Sequence, residues 1–207
     1  MSKKTLYEFF KKQGMNDYGA SGLMGNIQAE SNFKANNVQN NENERLKMND
    51  AEYTKALDNG TFTRDDFVNK HKSGYGLCQW TFPTRKASFY DFMKKNAKSF
   101  GDEVAQAKFL VDELKNRYKS VWNTLCNATS VREASNNVLH DFERPADQSK
   151  DVEDKRASYG EAIYNEFAKP KVLYRVQVGS YSIKSNAESM MQKLKKAGYD
   201  AILVEVK

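Results

Sequence analysis

The chain has 207 residues, 39% hydrophobic and 12% aromatic, so it can bury a core, and wholesale disorder is excluded. A mean hydropathy of −0.82, with no apolar run of about 18 residues, excludes a transmembrane helix. The formal charge is +6, and the two cysteines, Cys78 and Cys126, are too few for a disulfide framework or a zinc site.

The N-terminal segment MSKKTLYEFFKKQG is basic but has no apolar h-region and no cleavage site, so no signal peptide is expected. Leu6, Phe9 and Phe10 share one helical face. Asn16 or Asp17 can cap the next helix, which carries Gly19, Gly22 and Gly25 on one side, where they allow close backbone approach. Residues 35–49, rich in Asn and Glu, read as a loop. Asn49 with Glu52 reads as a capping box, and Gly60 as the stop of that helix. Thr63 and Asp66 start a short helix. Gly74-Tyr75-Gly76-Leu77-Cys78-Gln79-Trp80 is a tight segment. Pro83 suits the first turn of a helix running to about Asn96, and Asp102 opens another. Ser130 and Glu133 cap a helix interrupted at Phe142-Glu143-Arg144-Pro145, and a last helix runs from about Asp147 to Phe167.

After Ala168-Lys169-Pro170-Lys171 the apolar period changes from about 3.6 to 2. Leu173, Arg175 and Gln177 alternate with Tyr174, Val176 and Val178 as a strand. Asn186 to Ala197 is an amphipathic helix ended by Gly198, and Ala201 to Val204 is a second strand. The predicted class is α+β: a mostly α-helical domain over 1–167, a linker at 168–171 and a small β-α-β unit over 172–207. Residues 171–207 hold seven Lys/Arg against three Asp/Glu, which suits an anionic partner.

Glu30 ends the glycine-spaced helix, beside Met24, Ile27 and Phe33. Partial desolvation there raises a carboxyl pKa, as a general acid at neutral pH requires. The bland alternative is a solvated helix-end glutamate. The Gly-Tyr-Gly-Leu-Cys-Gln-Trp turn offers aromatic faces and amides of the kind that bind sugar rings; equally, Tyr75 and Trp80 can be core. A hydrolase with two carboxylates needs a second acid across the scissile bond. Asp58, Asp65 and Asp66 are candidates by sequence position, and Asp65 is selected.

Together, Glu-Ser-x-Phe, then Gly-Tyr-Gly-Leu-x-Gln-Trp-Thr with Arg85, then Phe-Glu-Arg-Pro-Ala-Asp, over about residues 5–167, resemble the phage tail lysozyme family, which is similar to goose-type lysozymes and lytic transglycosylases. The resemblance implies a lysozyme-like helical fold and a peptidoglycan substrate. It makes Glu30 the acid that protonates the oxygen between N-acetylmuramic acid and N-acetylglucosamine. Tyr75, Gly76, Gln79 and Trp80 would line the cleft. Arg85 is expected as an ion-pair partner, and Glu143 as a helix-break residue that is also a candidate for substrate binding. Without a second carboxylate, either the substrate's own groups assist, which gives a 1,6-anhydro product, or Glu30 alone acts with a water held by polar neighbours.

Residues 172–206, with Arg-Val-Gln-Val-Gly-Ser-Tyr at the first strand and turn, resemble one repeat of the SPOR domain, which binds peptidoglycan. Gln177, Ser180 and Tyr181 are its wall-binding candidates. The chain holds one β-α-β half of the usual two, so pairing of two chains into a homodimer is expected. The whole reads as an endolysin: made in the host cytoplasm, released through a holin or carried on a virion, and acting on the wall. No cofactor, metal, nucleic-acid partner or membrane insertion is implied. The rival readings are a Cys78–His140 peptidoglycan peptidase and a non-catalytic wall-binding structural protein.

Overall fold

Side-chain caps set half of the α-helix starts in the computed structural model, which describes residues 2–169 and 176–205. Ser2 caps α1 (Lys3–Gln13), and Asn16 caps α2 (Asp17–Ser31) by accepting from the Gly19 N–H at 2.8 Å. The seven-residue α3 (Asn40–Leu46) follows. The Asn49–Glu52 capping box opens α4 (Asp50–Asp58), and Pro83 begins α5 (Pro83–Asn96). Asp102 caps α6 (Glu103–Arg117), which runs nearly into α7 (Lys119–Asn127). Ser130 caps α8 (Val131–Asn137), whose last turn widens into a π-helical stretch, Val138–Glu143. The unit closes with α9 (Lys150–Phe167). By contacts the chain divides into two units, Met1–Lys169 and Pro170–Lys207.

In the first unit α2 is the hub, packed on α9, α8, α7 and α1. Its glycines explain how several helices reach it. A Cβ at Gly19 would stand 1.8 Å from the Leu125 carbonyl oxygen of α7, and one at Gly22 would stand 2.7 Å from the Ala134 Cβ of α8. At Gly25 a Cβ would meet backbone of α9, 2.5 Å from the Arg156 oxygen. The expected close approach is therefore made on three sides at once. Leu23, Met24 and Ile27 are buried beside these glycines. A second aromatic cluster joins Phe67, Tyr75, Trp80, Phe89 and Phe109, with Trp80 stacked 4.6 Å from Phe89.

Three sequence expectations are corrected. The loop over 35–49 contains α3, because Glu42 is buried, ion-paired to Arg45 and hydrogen-bonded by Ser73 at 3.0 Å; tertiary anchoring overrides a weakly helical composition. The last helix starts at Lys150, because Asp147 spends its carboxylate on the Ser149 N–H, 2.9 Å away. The β-α-β unit is not formed: α10 (Lys184–Lys196) is present, but among the described residues Val176–Val178 and Ala201–Val204 are irregular. A ladder needs a partner, and with none beside them Val176 is 88% and Ile202 75% exposed. Leu173, Tyr174 and Arg175 of the first expected strand lie outside the described residues.

Candidate active site

The close approach of α2 and α9 places Glu30, at the end of α2, against Arg156 of α9. Arg156 Nη2 lies 2.6 Å from Glu30 Oε1; the guanidinium side chain is 9% exposed and the carboxylate 18%. Arg156 Nη1 also donates to Asn26 Oδ1 at 3.1 Å, and the Asn26 amide nitrogen donates to the Gly22 and Ser135 oxygens. Asn26 is fully buried, so its hydrogen bonds lock the guanidinium that grips Glu30. Beyond Glu30 the backbone turns left-handed at Asn32 and Phe33, with φ of 49° and 63°, and this ends the helix beside the carboxylate.

The Gly74–Trp80 turn is fastened to the same helix end. Ser31 Oγ donates to the Leu77 carbonyl at 2.9 Å, and Leu77 N–H donates to the buried Gln106 Oε1 at 2.9 Å. Gly76 has φ +80°, and a Cβ there would meet Gln106 at 2.6 Å, so the turn requires glycine. Gln79 is itself left-handed and donates to the Asn37 and Gly76 carbonyls; in this structure its amide nitrogen holds the turn. Tyr75 is buried, with its hydroxyl 2.8 Å from Thr54 Oγ1. Trp80 is buried too, and its indole N–H donates to Glu113 at 3.0 Å. Both aromatics therefore sit in the core behind the site.

Glu113 is also the partner of Arg85, bidentate at 2.8 and 2.9 Å, with both side chains buried and the guanidinium stacked 4.3 Å over Phe142. Arg85 is thus the ion-pair partner its position suggested. Glu143 follows Phe142 in sequence, at the end of the π-helical stretch and before Arg144 at φ +50°. Its Oε1 is buried and has no hydrogen-bond partner among the described residues. Burial, and then the charge of Glu30, push the Glu143 carboxyl up to about 8, against the pull of Arg85 and Arg156.

The structure does not bring the other sequence candidates to this cluster. Asp65 is exposed; it accepts from Asn69 and pairs with Lys70, and these hold its carboxyl below the usual range. Asp58 accepts from the Phe100 N–H, and Asp66 from Thr63. Cys78 is buried, and burial pushes its thiol well up, which removes the thiolate a peptidase needs. His140 instead bonds Gln148 and Glu153, at 2.8 and 2.7 Å. In the second unit Gln177 donates to Ser180 Oγ at 2.7 Å, and Tyr181 packs over Gly179, so the three wall-binding candidates lie together. Among the described residues, no cluster of ligands fits a metal ion.

A family model described as phage tail lysozyme matches residues 2–167, most of the chain. The chain belongs to the phage tail lysozyme family. A SPOR domain model matches residues 151–206; it begins inside α9 and runs through the second unit. Comparison with curated proteins gives no match. Family and wall-binding match together make this phage tail lysozyme a cell-wall-lytic enzyme acting on peptidoglycan. No described helix is long and apolar enough to cross a membrane.

Sequence reasoning missed Arg156, Asn26 and Glu113. A signal existed for two of them. Arg156 shares a helical face with Gly160 and Ile163, and Glu113 sits among buried Phe109, Leu110 and Leu114. A lone charge on an apolar stripe needs a buried partner.

Proposed function

We propose that this enzyme is a muramidase-type glycosidase of the endolysin class. It cleaves the bond between N-acetylmuramic acid and N-acetylglucosamine, with Glu30 protonating the leaving oxygen. The observation that carries this reading is the Glu30 carboxylate itself. It is partly open to solvent and held in place by a buried guanidinium, and its charge helps to raise a second carboxyl, Glu143. The C-terminal unit would keep the enzyme on the wall, and two such units would pair in a homodimer.

Lytic transglycosylation is the second reading, and one observation favours it. Burial raises the Glu143 carboxyl, which makes it a poor base for an attacking water. The muramic acid's own hydroxyl would then close on the anomeric carbon. Mass spectrometry of fragments released from purified peptidoglycan separates the two. Reducing muramic acid ends mean hydrolysis, and 1,6-anhydro ends mean transglycosylation. Glu30→Gln should abolish both; a variant that still clears walls overturns the role of Glu30. New free amino groups on intact glycan would overturn the glycosidase reading.

A further inference from the structure

Helix α6 carries a carboxamide on its buried face. Gln106 is fully buried, and Phe109, Leu110 and Glu113 follow it at helical spacing. A buried amide is costly unless it is bonded, and both ends of this one are. Gln106 Nε2 donates to the Ala35 carbonyl at 2.6 Å and to the Phe100 carbonyl at 2.6 Å. Its Oε1 accepts from the Leu77 N–H at 2.9 Å. A carbonyl only accepts and a backbone N–H only donates, so the amide fits in one orientation.

The geometry points to Gln106 as a positioning residue of the lytic reaction: its carboxamide holds the glycine turn and the chain leaving α2 in one fixed arrangement beside Glu30. The inference rests on the glycosidase reading, in which Glu30 acts on the glycan. Leu77 is gripped from both sides, its N–H by Gln106 and its carbonyl by Ser31 Oγ at 2.9 Å, and Ser31 is the residue after Glu30. Ala35 lies five residues after Glu30, in the stretch that leaves α2. That stretch is joined to the same turn, because the Asn37 carbonyl accepts from the Gly76 N–H at 2.8 Å and from Gln79 Nε2 at 3.1 Å.

One side chain of α6 therefore ties together the two segments that border the catalytic helix end. Gly76 carries the matching constraint: a Cβ there would stand 2.6 Å from Gln106 Oε1. Without the amide, the Leu77 N–H and the Ala35 and Phe100 carbonyls lose a buried partner together. Turn and chain are then free to shift against Glu30. Proton transfer to a glycosidic oxygen tolerates little misplacement, and a shift of about 1 Å costs about 100-fold.

The test is steady-state kinetics of the full chain on solubilised glycan strands, expressed per folded enzyme. Gln106→Met keeps the length and removes all three bonds; it should lower kcat about 30-fold and move KM less than about threefold. Gln106→Glu turns an oxygen toward the two carbonyls, and only its protonated form restores a donor. Its kcat relative to wild type should recover as pH falls from about 7 to 5, while the same ratio for Gln106→Met stays flat. Leu125→Ala, a core truncation in α7 against the far end of α2, controls for lost stability and should keep wild-type kcat in its folded fraction. A folded Gln106→Met with wild-type kcat, a Gln106→Glu ratio that ignores pH, or an equal loss in Leu125→Ala overturns the inference. Should both Gln106 variants fail to fold, two other measurements decide. Ser31→Ala, which frees the other side of Leu77, should lower kcat about tenfold. The Leu77 amide of the wild type should be strongly protected from hydrogen exchange. A wild-type rate in Ser31→Ala, or a Leu77 amide that exchanges like an exposed loop, overturns the inference. A wild type that releases no glycan fragment sinks the glycosidase reading instead, and an active wild type with an indifferent Gln106 sinks only the inference.

Discussion

Glu143 ties the stability of the fold to pH through one side chain. Its folded carboxyl is raised from an ordinary 4.5 to about 8, so between those values the folded chain binds more protons than the unfolded one. The stability from the neutral form is therefore fully present below about pH 4.5 and is lost as pH rises through 8. Above that, the fold carries a half-buried anion only partly compensated by Arg85 and Arg156. Glu143→Gln removes this penalty and keeps the shape. Its stability advantage over wild type, followed by thermal melting at each pH, should grow between pH 5 and pH 9 by an amount on the order of 2 kcal/mol. A difference that stays flat with pH would mean that this carboxyl is an ordinary one. The sequence around Phe-Glu-Arg-Pro revealed a helix break but not this environment. The charges that act on Glu143, of Arg85, Glu30 and Arg156, come from three other helices.

Helix α2 shows where local signals suffice and where they fail. The Asn16 cap and the glycine row were legible because capping and spacing are properties of neighbours in sequence. That the row faces three helices at once was not, nor was the π-helical widening at Val138–Glu143, which only the packed structure determines. The consequence can be measured at Gly25. Alanine there gains about 1 kcal/mol of helix propensity, yet its Cβ would lie 2.5 Å from the Arg156 oxygen and 2.6 Å from the Gly160 nitrogen. Backbone cannot swing aside as a side chain can, so α2 and α9 must part. Gly25→Ala should lose about 1–3 kcal/mol in denaturant titration. Because the parting carries Arg156 away from Glu30, the lytic rate of the folded fraction should also fall. Unchanged stability would show that propensity outweighs the clash.

At the scale of the whole molecule, the two units differ in how much of themselves they bury. The first closes its core around α2. The second has an amphipathic helix, α10, with no buried residue, and it leaves Val176, Ile183, Tyr199, Ile202 and Val204 more than half exposed. Its alternating sequence predicts strands, and the alternation is there in the residues. A strand pair of this length, however, has no independent stability without further strands or a helix face to cover it. In the proposed homodimer a second copy would supply both, with the same apolar residues meeting their equivalents about a two-fold axis. Sedimentation of the full chain at tens of micromolar should therefore show a dimer, and a chain ending at Lys169 should sediment as a monomer. The truncated enzyme should still cut solubilised glycan, since Glu30, Arg156, Arg85 and Glu143 all precede that point, while its retention on intact walls should fall by at least about tenfold as two linked binding units are lost. A monomeric full chain that holds the wall as tightly as before would mean that the half unit binds alone, and that its exposed apolar residues contact the glycan rather than a copy of themselves.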